Sequence, residues 1–172
     1  MKRFCLKLVI FAAFAFLPAF AHAGAEHNLV GWAWSDAVGW ISFNSTNDHD
    51  SNTAGVQQSS YNYGVHMAGN GDLCGNSSCS QPGYAWSPAI GWIQFGSLSA
   101  FPSGSGTQGI NAKVNGTNLQ GWAKAITADG NGWDGWISLS GAGPSYGVNL
   151  SGNIFSGYAW GSEVVGWVNF DE

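Results

Sequence analysis

Charge is scarce in this chain. Only 9% of its 172 residues are Asp, Glu, Lys or Arg, and beyond residue 23 the basic side chains reduce to Lys113 and Lys124. All ten carboxylates lie beyond residue 23, so two lysines against ten acids leave that part of the chain at −8. A surface this poor in cations repels phosphate, which argues against a nucleic-acid partner, and it lacks the basic clusters that dock on anionic membranes. Good helix formers are thin as well: Leu, Glu, Lys and Arg are all sparse. Gly is abundant, at 26 residues, but ten Trp, ten Phe and five Tyr set the chain apart from disordered Gly-rich segments, which lack aromatics. Aromatic and β-branched residues favour strands.

The N-terminus reads as a secretory signal peptide over residues 1–23. Lys2, Arg3 and Lys7 precede an apolar run from Leu8 to Phe20, and Ala21-His22-Ala23 supplies a small-x-small cleavage pattern before Gly24. The run is short for a spanning helix, which needs about 20 apolar residues. The expectation is an exported protein, extracellular, at the cell surface or periplasmic, with no membrane insertion once the signal is removed. Cys5 sits in the basic n-region and leaves with it. Cys74 and Cys79 remain, five residues apart among Gly, Asn and Ser. In an oxidising compartment such a pair reads as a disulfide.

A motif recurs four times: GWAWSDAVGWISF (31–43), GYAWSPAIGWIQF (83–95), GWAKAITADGNGWDGWISL (121–139) and GYAWGSEVVGWVNF (157–170). The frame is Gly-aromatic-Ala, usually Trp, a short link, then Gly-Trp-[Ile/Val]-x-[Phe/Leu]. The third copy departs from it, with Lys124 in place of the second aromatic and a longer link. Ahead of the later copies stand Tyr63-Gly64-Val65, Gly109 to Val114, and Tyr146 to Leu150, each followed by a Gly- and Asn-rich turn. Period-two alternation within short segments bounded by turn residues predicts strands. The fold expectation is therefore all-β: tandem three-stranded antiparallel meanders, about eleven strands, packed into one compact domain spanning 24–172. A sandwich- or barrel-like arrangement is favoured over a propeller-like ring or a solenoid. The recurring glycines are expected to make room for aromatic rings on neighbouring strands, and stacked units to bury layers of Trp.

The segment GYAWSPAIGWIQF resembles a Trp-rich repeat of exported and cell-surface proteins from poorly characterised bacteria. The resemblance covers the four motifs and the Tyr-Gly-Val strands, and it implies an exported, surface-associated β-repeat protein. It supplies no activity and no site residues.

No constellation for catalysis is apparent. The histidines show no zinc-hydrolase spacing, Ser103-Gly104-Ser105-Gly106 is low complexity rather than a nucleophile elbow, and the acids sit in turns or at the termini. Asp129, Asn131 and Asp134 alternate with glycine in a loop and form a weak candidate site for Ca²⁺, with an Asx turn as the alternative. Asn47, Asp48 and Asp50 form a weaker one. Among the rings, Lys124 marks the second aromatic position as open to water, because an unpaired buried Lys is costly. Its counterparts Trp34, Trp86 and Trp160 are then the candidate binding residues, while the invariant Trp40, Trp92, Trp136 and Trp167 are expected in the core. These features predict a noncatalytic surface protein acting in adhesion or assembly, on a cell-surface or matrix component. The alternatives are a lectin-like module that stacks its rings on glycans, and a self-assembling subunit whose terminal strands pair between chains.

Overall fold

The computed structural model describes residues 27–46, 61–102 and 109–171. The signal-peptide segment and residues 47–50 of the weaker ion candidate lie outside them. In chain order the first motif forms β1 (Trp32–Ser35) and β2 (Gly39–Ser42), followed by the small pair β3 (His66–Met67) and β4 (Leu73–Cys74). The second motif forms β5 (Gly83–Ser87) and β6 (Gly91–Phe95), followed by β7 (Lys113–Asn115) and β8 (Asn118–Gln120). The third forms β9 (Trp122–Ala125) and β10 (Trp136–Ser138), followed by β11 (Ser140–Ala142) and β12 (Ser145–Ser151). The fourth forms β13 (Ile154–Trp160) and β14 (Trp167–Asn169), with one helical turn, α1 (Ser162–Val165), in its link.

Each motif is one antiparallel hairpin, and the four hairpins close a barrel. β2 pairs with β5, β6 with β9, β10 with β13, and β14 returns to β1. The junctions are equivalent: Ser42 lies opposite Trp86, Gln94 opposite Lys124, Ser138 opposite Trp160 and Asn169 opposite Trp34. The ring therefore has approximate fourfold internal symmetry. Closing β14 on β1 removes the edges that open terminal strands would offer to another chain.

The middle of the bore is aliphatic. Ala33 faces Ile41, Ala85 faces Ile93, Ala123 faces Ile137 and Ala159 faces Val168, and all eight are buried. An eight-stranded barrel has an interior just wide enough to be filled by side chains, and alternating one small with one large residue around the ring fits that width. Phe43, Phe95, Leu139 and Phe170 close one end, with Phe43 centred 5.7 Å from Phe95 and 5.6 Å from Phe170. At the other end the links fold inward over Val38 and Val165, and hydroxyls tie three of the four links to the one before. Ser35 Oγ donates to the Val165 carbonyl (2.5 Å), Ser87 Oγ to the Val38 carbonyl (3.5 Å), and Thr127 Oγ1 to the Ile90 carbonyl. The fourth link carries Gly161 where the first two carry Ser35 and Ser87, and has no such hydroxyl.

This geometry corrects the expectation for the motif tryptophans. Trp40 and Trp167 are 39% and 42% exposed, and all four second-strand tryptophans stand on the outer wall; only Trp136 is buried there. Rings cannot enter a bore that Ala and Ile already fill. Trp34, Trp86 and Trp160 are half-buried on the same outer wall.

The recurring glycines also serve a different purpose from the one expected. Gly39, Gly91, Gly135 and Gly166 each precede the second-strand Trp with φ between +68° and +74°. They end the hairpin link in the left-handed region, where a side chain is strained. The first glycine of a motif bends a long strand from an outer pairing into the barrel. At Gly157 a Cβ would lie 2.3 Å from the Gly147 carbonyl oxygen, so backbone rather than a ring demands the glycine. The second motif differs by an insertion, residues 75–82, between its bent halves. The Cys74–Cys79 disulfide and a bond from Gly75 N–H to the Gln81 carbonyl (2.8 Å) tie off its base.

Candidate functional site

The wall outside the barrel is built from repeated ring clusters. In hairpins one, two and four the two first-strand aromatics flank the Trp of the second strand, because cross-strand partners share a face. Trp34 is centred 4.9 Å from Trp40 and Trp32 6.2 Å from it; Trp86 is 4.5 Å from Trp92 and Tyr84 6.3 Å; Trp160 is 4.8 Å from Trp167 and Tyr158 6.5 Å. The interplanar angles run from 57° to 86°, the edge-to-face and tilted arrangements that aromatic quadrupoles favour. In the third hairpin Lys124 takes the ring's place, with its Nζ 5.3 Å from the Trp136 centroid as a cation–π contact. Asp129 holds the same ammonium at 3.0 Å.

Outer segments cover these clusters unequally. Tyr63 and Tyr61 lie 5.2 and 6.4 Å from Trp92, Phe101 lies 5.5 Å from Trp136, and Tyr146 lies 5.0 Å from Trp167. The tyrosine of the Tyr-Gly-Val element is thus a ring partner for the Trp of the hairpin that follows it. Hairpins four and one are neighbours, and they leave the most ring surface open: Trp167, Tyr158 and Trp40 are all exposed.

Around Trp92 the rings form a concave groove of about 470 Å³, lined by Tyr61, Tyr63, Trp86 and Trp92. A second hollow of about 200 Å³ adjoins it and reaches Asn62, Tyr84 and Ile126. Tyr63 is anchored in the floor, its hydroxyl donating to Ser42 Oγ at 2.9 Å. Burial pushes its phenol above the ordinary tyrosine range, and the hydrogen bond with Ser42 opposes this more weakly. A folded pKa raised above the unfolded one contributes stability at pH values below the unfolded pKa and loses it as pH rises through the folded pKa. In a spectrophotometric titration Tyr63 is expected to ionise above the ordinary tyrosine range, and Tyr63→Phe should delete a step on that high-pH side. A Tyr63→Phe curve lacking an early step instead would place this ring in solvent.

Of the residues singled out from the sequence, Trp34, Trp86 and Trp160 do share one wall at equivalent positions. Trp34 Nε1 donates to Asp36 at 2.9 Å. The candidate ion ligands are each engaged separately: Asp129 with Lys124, Asn131 Nδ2 with the Thr127 carbonyl at 2.5 Å, and Asp134 as acceptor of the Trp136 N–H at 3.2 Å. That last bond, two residues on, is an Asx turn. Among the described residues no group of three or more His, Cys, Asp or Glu is placed to hold a metal ion. Sequence reasoning missed Tyr61, Tyr63 and Tyr146 as parts of the ring clusters. For Tyr63 and Tyr146 the signal was the aromatic directly ahead of each Gly-Val pair.

No family model matches the chain, and the searches of curated proteins and of solved structures likewise returned no match.

Proposed function

We propose that the protein is a noncatalytic, exported surface protein that acts in adhesion or assembly through the aromatic outer wall of its barrel. The observation that carries this reading is the placement of the motif tryptophans outside a bore that is already filled without them. Exposed Trp and Tyr on a rigid β scaffold supply large contact area with little side-chain entropy to lose, as at protein interfaces. The signal-peptide pattern, the disulfide and the resemblance to a surface-protein repeat support export. The barrel strands run from three to seven residues, against about nine to eleven for a membrane-spanning strand, which supports a place beside a bilayer rather than in it.

Labelled processed protein is expected to be retained on the surface of the cells that export it. A Trp40→Ala/Trp167→Ala double variant, checked for an unchanged far-UV spectrum, should lose most of that retention. Retention equal to wild type would contradict the reading.

The concave groove at Trp92 favours a second reading, a lectin-like site. Its lining rings can stack on the apolar faces of a pyranose, and none of the residues lining it is charged, which suits a neutral glycan. Quenching of tryptophan fluorescence by soluble neutral oligosaccharides, weakened in Trp86→Ala, would support it. An unquenched wild type would remove it.

A further inference from the structure

Each hairpin hands over to the next at the same register. The residue one step beyond the shared ladder therefore stands across from the second-strand Trp of the preceding hairpin. The ladder between β6 and β9 ends at Ile93 with Ala125, so the next pair is Trp92 and Ile126, and those two side chains do line one hollow. The same count sets Pro88 across from Trp40, Ser162 across from Trp136 and Asp36 across from Trp167. Asp36 alone among the four is a carboxylate.

Asp36 is exposed at the start of the first link. Its Oδ1 accepts the Trp34 indole N–H at 2.9 Å, which fixes the carboxylate at the edge of one ring and across from another. Trp167 is surrounded by Trp160, Tyr146 and Tyr158, with centroids 4.8, 5.0 and 6.5 Å away, and is still 42% exposed. The first and fourth links also meet, since a Cβ on Gly166 would come 3.8 Å from that of Ala37. The fourth link adds a second exposed carboxylate, Glu163.

The third hairpin shows what this combination holds. Lys124 occupies there the position of Trp34, and its Nζ lies 5.3 Å from the Trp136 centroid and 3.0 Å from Asp129 of the link. In the first hairpin the link carboxylate meets an indole N–H instead, which carries no charge. Both lysines beyond residue 23 are paired elsewhere, Lys113 with Asp72 at 2.8 Å and Lys124 with Asp129.

We propose that the corner formed by Trp34, Asp36 and Trp167 binds a lysine side chain presented by a partner protein. The ammonium lies on the open face of Trp167, drawn by the ring quadrupole, and Asp36 is its counter-ion. A net charge of −8 beyond residue 23 steers a basic partner toward this surface. A second copy is not the occupant, because its own lysines are already ion-paired. The inference rests on the aromatic-wall reading and names the partner chemistry at one open corner of that wall.

The test is an NMR titration of the isotope-labelled processed chain with acetyl-Gly-Lys-Gly-Lys-Gly amide, read at the indole N–H signals. Those of Trp34 and Trp167 are expected to shift saturably, and the binding to weaken as salt is added. The same peptide with both lysines acetylated should not bind. Asp36→Asn keeps an oxygen for the Trp34 indole and removes the charge. It should melt as the wild type does and bind the peptide about threefold more weakly or worse. Absence of a saturable shift in the wild type would overturn the proposal. Equal binding of the acetylated peptide, or no effect of Asp36→Asn, would do the same. Tetramethylammonium binding as tightly as the peptide would assign the corner to a small quaternary cation and overturn the protein partner. Retention on cells separates this inference from the reading beneath it. If Asp36→Asn is retained like wild type while Trp40→Ala/Trp167→Ala is lost, the lysine contact falls and the aromatic wall stands.

Discussion

Replacing Ile93 by Ala is expected to cost about 2–5 kcal/mol of stability, the range for buried aliphatic truncations, and Ile41→Ala and Ile137→Ala should behave alike. Each of these side chains is buried opposite an alanine in the bore. Alanine on both sides of the ring would leave a void that rigid, hydrogen-bonded strands collapse into poorly. Trp40→Ala removes a much larger side chain, yet it leaves no enclosed void; beyond the area the ring covers it loses about 0.5–1.5 kcal/mol of edge-to-face pairing with Trp34 and Trp32, and its total cost should stay below that of Ile93→Ala. Denaturant melts of the matched variants check the order. A Trp40→Ala loss above that of Ile93→Ala would put the ring inside.

The second large effect separates two glycines of nearly equal conformation. Gly31 has φ +99° and Gly157 φ +95°, so an alanine at either meets similar backbone strain, of order 1–3 kcal/mol. Only at Gly157 does the new Cβ also run into a carbonyl oxygen, that of Gly147 at 2.3 Å. Gly157→Ala should therefore be the more damaging by at least about 1–3 kcal/mol, the cost of overpacking, and the strand β12 must move away to admit it. Equal melting points for the two variants would mean that the Gly147 carbonyl yields to the new Cβ at no cost.

Much of the architecture was legible in the sequence. Four hairpins, the outer strands ahead of three of them, and the Cys74–Cys79 bridge all follow from repeat, alternation and turn chemistry. The assignment of faces was also within reach but went astray. Lys124 correctly marked its position as facing water. In a tight hairpin, however, residue pairs directly across the ladder share a face, and Trp136 lies opposite Lys124 as Trp40 lies opposite Trp34. The inference drawn for Lys124 therefore extends to the second-strand tryptophans, and the invariant alanines at 33, 85, 123 and 159 mark the other, inward face. Ring size misled because Trp is usually taken as core, while a narrow bore selects small residues and branched aliphatics. The Trp92 groove was less accessible. It depends on Tyr61 and Tyr63 arriving from an inter-repeat segment, and no local pattern shows which hairpin such a segment will cover.

The claim that the motif tryptophans form an outer wall is tested most directly by limited oxidation of tryptophan in the native protein, mapped residue by residue by mass spectrometry. Trp40 and Trp167 should be modified first, Trp34, Trp86, Trp92 and Trp160 more slowly, and Trp122 and Trp136 last. Joint protection of Trp40, Trp92, Trp136 and Trp167, with early loss of Trp34, Trp86 and Trp160, would contradict the account and return the second-strand tryptophans to the core.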